Sequence, residues 1–222
     1  MAEAKRLVIF GDSIAKGVMF QDGRYHLCRA HDFDALAQQG VEVRNFAKMG
    51  ACTDTGLAIA KKQLELCQGA QVLLSFGGND CDFDWQAVSD HPDGVHLPKI
   101  PAEQFLENFR ALMVLVRQTA SRVWLSSLVP LEAHRFLDHV SQGRSRENIL
   151  TWLGDTDRIF RWQEYYNDLV CKLARELSCP LLELRPEFLK HPAFPALLSM
   201  DGIHPTQKGH DVIHRCVAEA IF

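Results

Sequence analysis

Short apolar runs alternate with longer stretches of helical period along the whole chain, and no other feature limits the fold as strongly. Leu7–Phe10, Val41–Ala47, Gln71–Phe76, Val123–Leu128 and Pro180–Leu184 read as strands. Between them lie helical segments. In Thr53–Gln68, residues Leu57, Ala60, Leu64 and Cys67 fall at helical spacing, with Thr53 as the expected N-cap and Gly69 as the stop. Ala102–Ala120 places Phe105, Leu106, Phe109, Leu112, Met113 and Val116 on one face. Trp162–Ser178 and Thr206–Ile221 supply two more. Such alternation predicts a three-layer α/β domain around a five-stranded, mainly parallel sheet. In that architecture functional groups gather just beyond the C-terminal ends of the strands.

A chain of 222 residues is expected to form one domain over residues 1–222 and to bury a full core without metal or disulfide staples. The charge balance is 24 Lys plus Arg against 28 Asp plus Glu, a net charge of −4. No basic footprint for nucleic acid or an anionic membrane follows from it. Seven cysteines, an odd number with no C-x-x-C pair, read as small core residues in a reducing compartment. The only apolar run near the amino terminus is Leu7–Phe10, too short for a secretory signal, and nothing approaches a membrane span. The expected location is cytoplasmic. A homo-oligomer is compatible with the sequence.

Four short blocks carry chemistry. Gly11-Asp12-Ser13-Ile14 follows the first predicted strand, so Ser13 is placed to present its hydroxyl at the sheet edge or at a helix N-terminus. By itself the tripeptide is as readily a turn or a helix cap. Asp201-Gly202-Ile203-His204-Pro205 sets a carboxylate three residues before an imidazole, with a glycine to tighten the turn. A serine nucleophile needs such a base, and the base needs an orienting acceptor. Gly77-Gly78-Asn79-Asp80 follows the third strand and offers the Asn79 amide as a donor. Asn45 and Gly50, in Asn45-Phe46-Ala47-Lys48-Met49-Gly50, bring a backbone N–H to the same edge. A tetrahedral intermediate of acyl transfer needs donors of this kind.

In their order, Gly11-Asp12-Ser13, Gly50, Gly78-Asn79-Asp80 and Asp201-x-x-His204 resemble the motifs of the SGNH hydrolases, also called GDSL esterases and lipases. The resemblance runs from Leu7 to Ile221. Ile14 stands where the namesake motif has leucine, and Ala51-Cys52 where many members carry a small hydroxylic residue or glycine. The resemblance implies a flavodoxin-like α/β/α fold and ester hydrolysis without metal or cofactor. By position, Ser13 would be the nucleophile, His204 the base and Asp201 its orienter. The Ser13 and Gly50 N–H groups and the Asn79 side chain would form the oxyanion hole.

Two long connections, residues 80–101 and 130–161, leave the C-terminal ends of strands and are expected to border the site, with Glu147–Leu153 as a small helix within the second. Trp85, His134 and Trp152 in them are candidate substrate-binding residues. Trp162, Tyr165 and Tyr166 read as core, Asp12 and Asp80 as structural carboxylates, and the arginines from Arg144 to Arg161 as a solvated face. His210 and His214 stand four apart, but Asp211 rather than a glutamate follows the first, so the pair reads as packed or surface histidines. The expected activity is hydrolysis of small or short-acyl esters, O-acetyl groups on carbohydrates included. A lysophospholipase or thioesterase acting on longer chains is the alternative within the same chemistry. A non-enzymatic flavodoxin-like binding module is the alternative outside it, but the loop after the first strand lacks the Ser, Thr and Asn run a flavin phosphate would want. The Gly-x-Ser-x-Gly elbow of α/β-hydrolases is missing, because Ala15 follows Ile14.

Overall fold

Along β1 (Lys5–Gly11), Leu7 and Ile9 enter one apolar cluster and Val8 and Phe10 another, as the two-residue period of a strand requires. A strand that is apolar on both faces must be covered on both, and the remaining elements do this. The computed structural model describes residues 5–30 and 33–222; residues 1–4 of the amino-terminal segment read above lie outside the described residues. After β1 come α1 (Ser13–Lys16), β2 (Val18–Gln21), β3 (Arg24–Leu27), α2 (Asp34–Gln38), β4 (Val41–Asn45) and α3 (Thr53–Gln63). Then follow β5 (Gln71–Ser75), α4 (Trp85–Asp90), α5 (Ala102–Val116), β6 (Arg122–Ser126), α6 (Ala133–Val140) and α7 (Arg146–Leu153). The chain ends with α8 (Asp157–Glu176), β7 (Leu181–Leu182), α9 (Leu184–Leu189) and α10 (Gln207–Ile221).

The main sheet has the order β4-β1-β5-β6-β7, and every pairing in it is parallel. Counting only its own strands, this is the 2-1-3-4-5 flavodoxin-like order, in which ligands sit at the switch point beside the first strand. One face packs on α3, α5 and α8 through residues such as Ala60, Phe105, Phe109, Leu112, Tyr166 and Leu173. The other packs on α9 and α10 through Phe188, Val212, Ile213 and Val217. Phe105, Phe109 and Leu112 are fully buried on α5, and each such side chain contributes about 1.5–3 kcal/mol. A third cluster, with Phe83, Trp85, Val88, Phe136, Leu137, Ile149 and Leu153 among its members, joins α4, α6 and α7. The two long connections therefore fold into helices with a small core of their own. The small helix expected at Glu147–Leu153 starts one residue earlier, capped by the Ser145 hydroxyl on the Asn148 N–H at 3.2 Å.

Several boundaries differ from the sequence reading. The helix expected to run through Gln68 tightens into a 3₁₀ turn over Leu64–Cys67, and the helix from Ala102 stops at Val116. The helix expected from Trp162 begins at Asp157. The last strand keeps two residues, since Leu184 already opens α9. The antiparallel β2–β3 hairpin lies where no element was expected. Its turn is Asp22-Gly23, with φ of 53° and 72°, the left-handed pair of a type I′ hairpin.

Candidate active site

Ser13 directly follows the central strand. Asp12 N-caps α1, and its Oδ1 accepts the Ile14 N–H at 2.9 Å, which fixes the turn and aims Ser13 beyond the sheet edge. Gly11 has no room for a side chain: a Cβ would lie 2.8 Å from the Ser75 carbonyl oxygen and 2.6 Å from the Ala15 Cβ. Asn45 at the end of β4 donates its amide to the Ala15 carbonyl at 2.9 Å, bracing the same turn from the neighbouring strand.

From the far end of the chain the loop before α10 brings Asp201 and His204. Gly202 adopts φ +76°, and a Cβ there would meet the Glu132 carbonyl oxygen at 2.5 Å; only glycine allows this approach. Asp201 is wholly buried, and its Oδ1 accepts the Ile203 and His204 N–H groups at 3.2 and 3.1 Å. Its Oδ2 stands 2.6 Å from His204 Nδ1, and His204 Nε2 stands 2.9 Å from Ser13 Oγ. A carboxylate on Nδ1 assigns the proton to that nitrogen and leaves the Nε2 lone pair facing the hydroxyl. Ser13 and His204 are 7% and 4% exposed, so bulk water competes little for these bonds.

Asn79 reaches the same place from the end of β5. Its Nδ2 donates to the Ala51 carbonyl at 3.3 Å, and Asn79 lines a cavity with Asp12, Ser13, Gly78 and His204. Gly50 lies one residue before Ala51, in a turn closed by the Ala51 N–H on the Lys48 carbonyl at 3.0 Å. It is exposed and outside the cavity lining, joined to the site through the Asn79–Ala51 bond. Asp80 turns away from Asn79 and caps α3: its Oδ1 accepts the Thr53 N–H at 2.9 Å and the Thr53 hydroxyl at 2.6 Å. The cap that the sequence assigns to Thr53 is thus supplied by a carboxylate 27 residues away, with Cys52 in the N-cap position. Burial pushes both Asp12 and Asp80 up to about 6, against hydrogen bonds from Ile14 and Thr53 that lower them.

The cavity measures about 750 Å³ counted out to its open mouth. Beyond the polar groups its wall is apolar and largely aromatic: Phe83, Trp85, Phe136, Trp152 and Trp162, with Leu131, Leu153, Ile159 and Ile203. Trp85 is anchored by its Nε1–H on Asp82 Oδ1 at 2.8 Å, and Trp162 by its Nε1–H on the Cys81 carbonyl at 2.9 Å. The Arg158 guanidinium lies 4.8 Å from the Trp152 ring centroid and donates to the Trp152 carbonyl at 2.8 Å. Of the three candidate substrate-binding residues, Trp85 and Trp152 reach the cavity and His134 does not. The buried stripe of α6 is Ala133, Phe136, Leu137 and Val140, which leaves His134 exposed. Trp162, expected in the core, sits between core and cavity, and Arg158, expected on a solvated face, lines the pocket.

Tyr25 went unnoticed in the sequence. It stands on β3 with its ring 5.3 Å from that of His204 at an interplanar angle of 67°, and burial together with the Asp201 charge raises its phenol. The Asp22-Gly23 turn signal was the available clue to this hairpin. Phe20 on β2 donates its N–H to Ser199 Oγ at 3.3 Å, tying the hairpin to the loop that carries His204. The whole assembly is a hydroxyl hydrogen-bonded to an oriented imidazole, beside amide donors and an apolar cavity. Such an arrangement can take a proton from the hydroxyl as it attacks a carbonyl carbon.

The profile of the GDSL-like Lipase/Acylhydrolase family matches residues 9–212. No curated protein matches in sequence. Among solved structures, the chain resembles the lipase/acylhydrolase from Enterococcus faecalis at 19% identity and a TM-score of 0.66, over 98% of this chain and 95% of that one. It also resembles Axe2, an acetylxylan esterase from Geobacillus stearothermophilus, at 18% identity and a TM-score of 0.67, over 99% and 95%. LAE5, an alpha/beta hydrolase enzyme from the metagenome of Lake Arreo in Spain, matches at 22% identity and a TM-score of 0.66, over 99% and 96%. At these identities the structures speak for a shared fold, while the profile spans nearly the whole chain. The chain belongs to the GDSL-like lipase/acylhydrolase family.

Proposed function

We propose that the chain is a serine esterase that hydrolyses small carboxylic esters, above all those with short acyl groups, through an acyl-enzyme on Ser13. The observation that supports it is the unbroken hydrogen-bond chain from Ser13 Oγ through His204 to Asp201. Ser13 Oγ attacks the ester carbonyl carbon as His204 Nε2 takes its proton, and Asp201 stabilises the imidazolium that forms. The same proton then passes to the departing alkoxide, leaving an acyl-serine. Water then attacks the acyl carbon as His204 Nε2 takes its proton, and that proton passes on to Ser13 Oγ as the acyl bond breaks, releasing the carboxylic acid and restoring Ser13 and neutral His204. The oxyanion is met by the Ser13 N–H and by Asn79 Nδ2, while Gly50, outside the cavity lining, supports the hole through the Asn79–Ala51 bond rather than as a direct donor. That amide carries two hydrogens, so the bond to Ala51 leaves one for the oxyanion.

O-acetylated carbohydrates are the leading members of this substrate class. An acetyl group needs little room beside Ser13, Trp85 and Trp152 supply aromatic surface for a sugar ring, and one structural neighbour is an acetylxylan esterase. A second reading, a lysophospholipase or thioesterase acting on longer acyl chains, draws support from the predominantly apolar wall. A p-nitrophenyl ester series graded by acyl length, run beside acetylated xylosides, separates the two. Highest kcat/KM at two to four carbons is expected, and an optimum at eight or more would transfer the assignment to the second reading. A fluorophosphonate probe tests the chemistry itself. A covalent adduct on Ser13 is expected, whereas an unlabelled, folded protein would favour a binding module without catalysis.

A further inference from the structure

Outside the cavity, three side chains that the proposed reaction does not use converge: Cys28, His210 and His214. One potential ligand atom from each, the Cys28 Sγ and a ring nitrogen of either histidine, lies within 4.8 Å of the other two. None of the three lines the cavity. The two histidines are four apart on α10, so they share one face of that helix. Cys28 ends the β3 hairpin and is pinned there by its N–H on the Gly17 carbonyl at 2.8 Å.

His210 is the most telling member. It is 1% exposed, its Nε2 stands 2.9 Å from the Val18 carbonyl oxygen, and its Nδ1 is buried with no hydrogen-bond partner among the described residues. A carbonyl at Nε2 places the proton there and leaves a bare lone pair on Nδ1. Metal-binding histidines are held in just this way, the second ring nitrogen donating to a carbonyl that fixes tautomer and ring plane. A buried lone pair without a donor is otherwise costly.

We propose that Cys28 Sγ, His210 Nδ1 and a ring nitrogen of His214 form a binding site for one zinc-class divalent cation. One sulfur and two imidazole nitrogens suit that class better than the oxygen-seeking Ca²⁺ or Mg²⁺. Zinc bonds of about 2.0–2.3 Å set tetrahedral ligands roughly 3.3–3.7 Å apart, so binding would draw the three ligand atoms together from their present spacing of up to 4.8 Å. Binding turns the Cys28 thiol into a thiolate and releases its proton to solvent. The fourth position is left to water. Tyr25, three residues before Cys28, rests on the His204 ring, so the ion would fasten to α10 the hairpin that covers the catalytic histidine.

Full-length protein stripped with a chelator and titrated with Co²⁺ tests the site without any assay of activity. One equivalent should bring a thiolate-to-cobalt charge-transfer band and tetrahedral visible bands, both displaced by Zn²⁺. Cys28→Ser and His214→Gln should each lower Zn²⁺ affinity by roughly 100-fold or more, since even hydrogen bonds to ligands govern 10–100-fold. His214 is only half-buried, so His214→Gln keeps the test open should Cys28→Ser fail to fold. Zn²⁺ should also raise the Tm of the parent protein but not of the variants. A parent protein with no charge-transfer band and no zinc-dependent Tm would overturn the site. So would a band that persists unchanged in a folded variant.

Discussion

The polar rim of the cavity and its aromatic wall enclose the same space but are held by different forces. In the rim, Asp201 meets His204 at 2.6 Å, His204 meets Ser13 at 2.9 Å and Asn79 meets Ala51 at 3.3 Å. These bonds are directional, and each rim atom has one useful position. In the wall, Phe83 touches Trp152 and Trp85 at centroid distances of 4.8 and 5.9 Å, and Trp85 touches Phe136 at 5.8 Å. Packing of this kind tolerates exchange of one large apolar residue for another. The rim should therefore govern kcat and the wall KM and substrate choice.

Ser13→Ala strikes the rim hardest. It removes the oxygen proposed to attack the ester without disturbing the backbone, and kcat on p-nitrophenyl acetate should fall by about 10⁴–10⁶ while Tm moves little. Loss of less than about 10-fold, against that expectation, would end the assignment of Ser13. Asn79→Ala comes next. Removing one oxyanion donor costs about 10²–10³ in kcat, and KM should hardly change. A rise in KM with kcat intact would place Asn79 with the wall instead.

The two regions also differ in how far the sequence discloses them. The rim is legible because it uses residues at fixed short spacing: Gly11 and Gly202, where a Cβ would clash with a carbonyl oxygen, and Asp201 three residues before His204. The sheet is legible for a similar reason, since strands buried on both faces leave continuous apolar runs such as Leu7–Phe10. The wall is only half legible. Trp85 and Trp152 stand out by residue type, whereas exclusion of His134 depends on which face of α6 is buried, and Phe136 and Leu137 decide that through contacts distant in sequence. Long-range pairings are illegible altogether. Nothing near Thr53 announces that Asp80 caps its helix, and nothing near His210 and His214 announces Cys28, some 180 residues earlier.

Asp12 joins the two regions, because its hydrogen bond belongs to the rim while its burial beside the wall sets its proton affinity. Burial lifts its carboxyl from 3.8 to about 6. Through that window the folded state holds a proton that the unfolded chain has released, so stability falls as pH rises. The cost at pH 7 is on the order of 2–3 kcal/mol, and Asp80 adds a shift of the same direction. Asp12→Asn keeps an oxygen for the Ile14 N–H and removes the titration. Urea unfolding at pH 4.5 and at pH 7 should show the variant gaining stability relative to the parent by roughly 1–3 kcal/mol between the two. Parallel pH profiles would mean that the wall does not control the charge of the rim.

Trp152→Ala should have the smallest effect, because it takes one ring from the wall and leaves every rim bond in place. Trp152 packs edge-on against Phe83, and the Arg158 guanidinium stacks on its ring. Truncation opens the cavity and releases that guanidinium. An aromatic contact contributes about 0.5–1.5 kcal/mol beyond its buried area, so KM for a short ester should rise about 3- to 10-fold with kcat nearly unchanged. The added volume should favour longer acyl chains, shifting the optimum of the graded ester series upward. A shift in optimum with constant kcat for the acetyl ester would locate substrate choice in the wall. If kcat for that ester dropped as steeply as in Asn79→Ala, Trp152 would be positioning the rim, and the division between the two regions would fail.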